Sequence, residues 1–251
     1  MYRLRSLLSL VACLCLWSGS GLQAPAGLPS GATVLPSGGG GPPSGAPPGG
    51  VLTAFERDGG VAYVTDFFSE ADFALVRSES ESMRTALTPE KRSFAQQRLC
   101  ATSPNGSPLA QLFATDRVVR RLSELTGLEL APELRRVPLE LRAYGTGSQM
   151  PWHVDDPLPG VAKLAEATGQ EIEVTSVEVV LTVDNDSDSE TQWLGVDGEV
   201  VSARTQPNSA VLIRAEGPQH RVTPLGSGTR RILKAGYSDR PDNAAPRKGR
   251  R

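Results

Sequence analysis

The chain contains two histidines, and both are candidates for a metal site. His153 is followed two residues later by Asp155, and residues i and i+2 of an extended segment point to the same side of the chain. Both side chains can therefore face one ion, and His220, much later in the sequence, can complete the set. Two imidazoles and one carboxylate form the donor set of many non-haem Fe(II) sites, which keep coordination positions open.

An H-x-D tripeptide alone is a weak indication, because such a short pattern often arises by chance. His153 could be an ordinary turn residue before an Asp-Asp-Pro sequence, and His220 could be a loop residue after a Gly-Pro pair. The residues around each histidine therefore decide between these readings.

Two longer signatures surround the histidines. Residues 144–155 read YGTGSQMPWHVD, in which a glycine lies three residues after the tyrosine and the H-x-D begins nine residues after it. Residues 207–230 read PNSAVLIRAEGPQHRVTPLGSGTR and contain H-x-V-x-P, then Gly-x-Arg with the arginine ten residues after the histidine. Together they resemble the prolyl 4-hydroxylase-like branch of the 2-oxoglutarate- and Fe(II)-dependent dioxygenases. The resemblance covers residues 60–238.

The resemblance implies a role for five residues. His153, Asp155 and His220 are expected to be the catalytic residues that bind Fe(II). Arg230 is expected to bind the far carboxylate of 2-oxoglutarate. Tyr144 either hydrogen-bonds this cosubstrate or packs in the core. The implied reaction uses O2, with ascorbate as a supporting reductant, and hydroxylates an unactivated C–H bond while releasing succinate and CO2.

The substrate class comes from the resemblance alone. It favours a peptidyl proline, so a peptide or protein is the expected partner. A small molecule or another amino-acid side chain stays open as the substrate. Two other readings also stay open, a catalytically silent jelly-roll binding module and a metal-dependent cupin that does not use 2-oxoglutarate.

Arg230 has a physical argument of its own. A guanidinium pairs with a carboxylate through two parallel hydrogen bonds and stays charged at any relevant pH, so it suits the far end of a dicarboxylate. Arg231 is its neighbour, and strand alternation sends only one of the two inward. The ten-residue spacing from His220 selects Arg230 and leaves Arg231 as a surface arginine.

The sequence departs from the family pattern at two places. Met150 stands where the family usually has an aromatic residue that touches 2-oxoglutarate, and Thr191–Gly195 replaces a usual Gly-Gly-x-Leu segment. Trp152 and Trp193 could line a substrate groove or simply pack. These departures affect the details of cosubstrate and substrate binding and leave the metal ligands in place.

The elements that must position these residues change in type along the chain. A capping pattern at Ser69-x-x-Asp72 predicts a helix to about Leu87, and apolar spacing predicts a second helix over Leu109–Leu125. Helices followed by strands indicate an α+β domain, mainly β, whose second half is a sandwich or barrel. With the resemblance, this becomes a double-stranded β-helix, the cupin-like jelly roll, with flanking N-terminal helices. The predicted strands are Val61–Val64, Leu139–Tyr144, Val174–Val183, Val200–Ala203, Ala210–Arg214 and Arg231–Tyr237.

The ends of the chain are expected to lie outside this domain, which should span residues 51–240. Residues 1–24 have the layout of a secretory signal peptide, with an apolar run too short to span a bilayer comfortably. Secretory or endomembrane targeting is therefore predicted, with an organelle transit peptide or a bacterial lipoprotein signal as alternatives. Residues 25–50 are rich in Gly and Pro and read as a disordered linker. Residues 241–251 form a basic tail, expected to be disordered.

Composition excludes two classes of protein. With 26 Lys+Arg against 28 Asp+Glu, the net charge of −2 argues against a general nucleic-acid binder, which needs clustered cations. Three cysteines are too few for a disulfide-dense scaffold. Cys100 is expected to be a small core residue and not a nucleophile. The sequence contains no indication of the oligomeric state.

Overall fold

Two antiparallel sheets and a layer of helices make up the part of the chain that the computed structural model describes, residues 53–90, 95–134, 137–155 and 176–239. The helices are α1 (Ala54–Arg57), α2 (Glu70–Ser82), α3 (Pro108–Phe113) and α4 (Asp116–Thr126), with a 3-10 helix at Met83–Ala86. The strands are β1 (Val61–Val64), β2 (Thr88–Pro89), β3 (Leu99–Thr102), β4 (Ala131–Pro132), β5 (Glu140–Tyr144), β6 (Met150–His153), β7 (Ser176–Asn185), β8 (Thr191–Leu194), β9 (Val200–Ala203), β10 (Ala210–Arg214), β11 (His220–Val222) and β12 (Arg230–Ser238).

The larger sheet has the strand order β1-β10-β7-β12-β5-β3-β2, and β4 pairs with β12. The smaller sheet has the order β6-β11-β8-β9. An apolar cluster joins the two sheets face to face, formed by Val61, Tyr63, Val211 and Ile213 of the larger sheet and Trp193 and Ala203 of the smaller one. Two facing antiparallel sheets give the jelly roll, so the predicted fold class is confirmed.

The other face of the larger sheet packs against the helices. Strand β7 shows the division, because Val177, Val179 and Leu181 join the core beneath the helices. The alternate residues Glu178 and Val180 line the cavity between the sheets. The two-residue period of a strand therefore assigns one set of side chains to the core and the other to the cavity.

Several predicted elements agree with the structure. Strands β1, β9 and β10 have the predicted bounds. Helix α2 begins after Ser69, whose hydroxyl accepts a hydrogen bond from the Asp72 backbone N–H, as the capping pattern indicated. The regular α-helix ends at Ser82, and a 3-10 helix continues to Ala86, one residue before the predicted end.

The prediction of one helix over 109–125 was wrong. The structure has two helices, α3 and α4, that meet at Ala114 and Thr115. The Thr115 hydroxyl donates to the carbonyl of Leu112 and accepts from the N–H of Val118, so it ends one helix and begins the next. The apolar residues keep a helical spacing across this break, so their pattern does not show it. The break is marked by Thr115, a residue type that caps helices.

Residues 1–52 and 240–251 lie outside the described residues, so the roles predicted for them stay predictions. Among the described residues, no helix has both the length and the apolar character that crossing a membrane would require. The first described residue, Thr53, caps α1 in a reciprocal capping box with Glu56.

A chain shortened to begin at Gly50 is expected to stay soluble and to unfold at the same temperature as the full chain. It keeps the Thr53 cap and removes the apolar run Leu7–Trp17, which is unfavourable in water at about 0.8 kcal/mol per CH2. Soluble yield and thermal unfolding of both chains check this. A short chain that is insoluble, or that unfolds at a clearly lower temperature than the full chain, would make the N-terminal segment part of the fold.

Candidate metal and cosubstrate site

The three candidate metal ligands converge at one end of the smaller sheet. His153 and His220 are register partners on the neighbouring strands β6 and β11, and their ring centroids are 4.1 Å apart. Asp155 follows β6, and its carboxylate oxygens lie 3.7 Å from His153 Nε2 and 3.3 Å from His220 Nε2. One ligand atom from each residue lies within 4.8 Å of the others, which is the spacing that a shared ion needs.

Backbone carbonyls orient both imidazole rings. Nδ1 of His153 lies 2.9 Å from the carbonyl oxygen of Pro151, and Nδ1 of His220 lies 3.2 Å from that of Pro218. A carbonyl only accepts hydrogen bonds, so each Nδ1 carries the proton and each Nε2 is directed to Asp155. In His220 both nitrogens thus face acceptors, and a cation between Nε2 and the carboxylate satisfies this arrangement.

The protonation states suit metal binding. Burial, together with the neighbouring His220, lowers the pKa of His153 to about 4, so its imidazole is neutral at physiological pH. Burial alone would raise the pKa of Asp155, but the neighbouring His220 and the charge of Lys234 outweigh it and lower that pKa. A neutral imidazole and an ionised carboxylate are the forms that bind a divalent cation.

Arg230 lines the same cavity as Asp155 and His220. Its side chain is fully buried, and Nη2 donates a hydrogen bond of 2.7 Å to the Thr191 hydroxyl. Among the described residues, Nε and Nη1 of Arg230 have no hydrogen-bond partner. A buried, half-paired guanidinium is costly unless an anion completes it, so these two donors fit one carboxylate of a dicarboxylate ligand.

Tyr144 is the register partner of Arg230 on β5. The guanidinium of Arg230 lies 6.0 Å from the centre of the tyrosine ring. The Tyr144 hydroxyl accepts a hydrogen bond of 3.0 Å from Arg98, which also contacts Glu90. The Tyr144 side chain is thus buried from solvent. Its hydroxyl is held by Arg98, and the residue lines the cavity.

The cavity between the sheets connects these two groups of residues. Its walls include Asp155 and His220 as well as Arg230, Tyr144 and Thr191. Most of the remaining wall is apolar, which favours a dry site. The two imidazoles, oriented by backbone carbonyls, and the Asp155 carboxylate are suitable ligands for Fe(II). The buried guanidinium of Arg230 is suitable for one carboxylate of 2-oxoglutarate.

Solved structures share this architecture. A prolyl-4-hydroxylase from Pseudomonas putida is 15% identical, with a TM-score of 0.52 over 76% of this chain and 94% of that one. HygX from Streptomyces hygroscopicus, with nickel, 2-oxoglutarate and hygromycin B bound, is 14% identical, with a TM-score of 0.52 over 73% and 84%. A Trichoplax adhaerens prolyl hydroxylase, in complex with a peptide fragment of the hypoxia inducible factor oxygen degradation domain, is 12% identical, with a TM-score of 0.55 over 74% and 86%.

The chain has the fold of the 2-oxoglutarate/Fe(II) oxygenases. The fold implied by the two signatures is therefore confirmed. No family model matches the chain, and no curated protein matches its sequence. The fold is thus recognised through structure and through two short signatures.

Within this oxygenase fold, Arg230 and Arg231 face opposite sides of β12. Arg231 lies on the helix side, where it forms ion pairs of 2.5 Å with Asp184 and 2.8 Å with Glu81 of α2. The alternation expected from the sequence therefore holds, and Arg230 enters the cavity. The expectation of a plain surface arginine was incomplete, because Arg231 is half-buried and connects α2 to the larger sheet.

The departures from the family pattern have structural counterparts. Met150 lines the cavity, and its sulfur accepts a hydrogen bond of 3.0 Å from Arg98. Trp193 is buried between the two sheets as packing and not as a groove wall. The guanidinium carbon of Arg221 lies 4.7 Å from the centre of the Trp152 ring.

Cys100 is half-buried on β3, so the expectation of a core residue was only partly right. Burial raises the pKa of its thiol.

Three cavity residues were not found from the sequence: Thr191, Glu178 and Lys234. Thr191 belongs to a strand of four residues that no sequence pattern indicated. Glu178 and Lys234 are charged residues inside apolar strands, and strand alternation could have placed them on the cavity side. Burial raises the pKa of Glu178 to about 6, even though Lys234 lies beside it.

Thr191→Val is expected to raise the 2-oxoglutarate requirement while leaving metal affinity unchanged. The substitution keeps the shape of the side chain and removes the hydrogen bond that holds Arg230 Nη2. A hydrogen bond to a charged group contributes on the order of 1.5–3 kcal/mol, and its loss leaves the guanidinium less well oriented for the carboxylate, so cosubstrate affinity should fall by up to roughly a hundredfold. Titration of 2-oxoglutarate at saturating metal measures this change. An unaltered requirement would mean that Thr191 does not hold the arginine.

Proposed function

We propose that the protein is an Fe(II)- and 2-oxoglutarate-dependent dioxygenase that hydroxylates an unactivated C–H bond. One observation carries the proposal: His153, Asp155 and His220 form one ligand group, and two of them, Asp155 and His220, line the cavity that also contains the buried Arg230. A binding module has no need for both a facial ligand set and a buried cation at the family spacing. HygX, which shares the fold, has nickel and 2-oxoglutarate bound.

The residues divide the work of the reaction. When bound, Fe(II) with 2-oxoglutarate and O2 supplies the oxidising chemistry, in which 2-oxoglutarate loses CO2, becomes succinate, and one oxygen atom enters the substrate. His153, Asp155 and His220 would hold the metal and leave its other positions open. Arg230, oriented by Thr191, would bind the far carboxylate of the cosubstrate. The apolar walls would exclude water.

A peptidyl proline is the proposed substrate. Support comes from the prolyl 4-hydroxylase-like signatures and from the Trichoplax adhaerens enzyme, which is bound to a peptide. A small molecule is the second candidate, because HygX has the same fold and is bound to hygromycin B. The shape and polarity of the cavity beyond the metal would determine whether a peptide or a small molecule binds.

Succinate release tests the proposal. The full chain is incubated with Fe(II), 2-oxoglutarate and ascorbate, alone and with proline-containing peptides, and the peptides are weighed for an added oxygen atom. Peptides with alanine in place of proline are the matched control. Succinate release without peptide oxidation would favour a small-molecule substrate. Absence of both metal binding and succinate release would identify a silent jelly-roll binding module.

A further inference from the structure

Two charged side chains lie on the cavity face of the larger sheet, among apolar neighbours. Glu178 on β7 and Lys234 on β12 line the cavity beside Val180, Val211 and Ile232. Their side chains are only 15% and 13% exposed. Buried charges are unfavourable unless they are paired, so their position in the cavity wall needs a reason.

Lys234 contacts both Glu178 and the candidate metal ligand Asp155. Lys234 Nζ forms an ion pair with the Glu178 carboxylate and lies 3.9 Å from Asp155 Oδ1. Asp155 itself is 13% exposed, so Lys234 and Glu178 extend a largely buried charged group from this one ligand of the triad.

The net charge of this group is −1. The opposite charges of Glu178 and Lys234 cancel, so only the negative charge of Asp155 remains to attract a cation. Without Glu178, the ammonium of Lys234 would have Asp155 as its nearest anionic partner and would repel a metal ion. Without Lys234, a second carboxylate would stand behind the ligand, and a cation would be attracted at least as strongly.

We infer that Glu178 and Lys234 are positioning residues that set the charge of the metal site and keep the Asp155 carboxylate available to the ion. Glu178 draws the ammonium away from Asp155, and Lys234 prevents two carboxylates from facing each other. This inference rests on the proposed metal site. It distinguishes the pair from an ordinary structural ion pair, whose two single variants would weaken the site in the same direction.

Metal affinity, measured on the full chain by titration with Co(II) or Ni(II) without O2 turnover, tests the inference. Glu178→Gln should weaken metal binding roughly tenfold or more, in the range of other residues that support metal ligands. Lys234→Met should bind metal at least as tightly as the natural chain. The double variant, which restores neutrality, should return to within about threefold of the natural affinity.

Asp184→Asn and Arg231→Met are the matched controls. This ion pair joins the same two strands, β7 and β12, on the face opposite the cavity, so its loss should leave metal affinity unchanged. Lys234→Gln is also neutral and serves if Lys234→Met does not fold, with the same expected metal affinity, and Lys234→Arg is the variant that keeps the charge. It should bind metal like the natural chain.

Two results would overturn the inference. Equal weakening by Glu178→Gln and Lys234→Met would make the pair purely structural, and unchanged affinity in both would disconnect it from the metal. Failure of the natural chain to bind metal is a separate outcome, because it removes the proposed function itself.

Discussion

His220→Ala is expected to abolish 2-oxoglutarate turnover and to reduce bound metal well below one ion per chain. His220 is buried, supplies one of three ligands and is directed toward Asp155 by its hydrogen bond to the Pro218 carbonyl. Its removal leaves two ligands, too few to hold a labile divalent cation against water. Metal content after dialysis and succinate release measure the two effects.

Gln219→Ala is the matched control for this experiment. Gln219 is the exposed residue immediately before His220, and its substitution leaves the strand pairing of β11 intact. It should retain both metal and turnover. Full activity in His220→Ala would refute the assignment of the metal ligands.

Arg230→Met is expected to raise the 2-oxoglutarate requirement steeply while metal binding is kept. Within the part of the chain that the structure describes, two of its buried guanidinium nitrogens have no partner, and these are the donors available to the cosubstrate carboxylate. Loss of a buried ion pair of this kind costs on the order of 2–5 kcal/mol, which is at least about thirtyfold in affinity. The KM for 2-oxoglutarate at saturating Fe(II), beside the Kd for Co(II), separates the two effects.

Arg231→Met provides the comparison, because Arg231 is on the same strand with its side chain on the helix side. It should have a KM near that of the natural chain, with some loss of thermal stability. A larger effect from Arg231 than from Arg230 would mean that β12 presents the opposite face to the cavity.

The metal ligands could be predicted because their spacing carries the geometry. An H-x-D in an extended segment places two ligands on one side, and the ten-residue interval from His220 to Arg230 joins two adjacent elements. Alternation required one inward arginine, and the family's ten-residue spacing from His220 selected Arg230. These predictions therefore combined local conformation with the resemblance of two short signatures.

The elements that were missed depend on contacts far apart in the sequence. Strands β6, β8 and β11 have three or four residues each, and they include Gln192, Arg221 and His220, so no apolar alternation marks them. Their hydrogen bonds come from neighbours that fold beside them. The Glu178–Lys234 pair likewise exists only because β7 and β12 are adjacent.

The division of the site between the two sheets couples ligand binding to the cohesion of the fold. His153 and His220 belong to the smaller sheet, while Lys234 and Glu178, which support Asp155, belong to the larger one. Arg230 of the larger sheet is likewise bonded to Thr191 of the smaller sheet. An ion and a cosubstrate bound here would connect the two sheets. Their binding free energy would stabilise the folded state against separation of the sheets. Amide hydrogens of the four short strands would then exchange with solvent more slowly in the loaded protein than in the metal-free one, so the smaller sheet would report occupancy of the site.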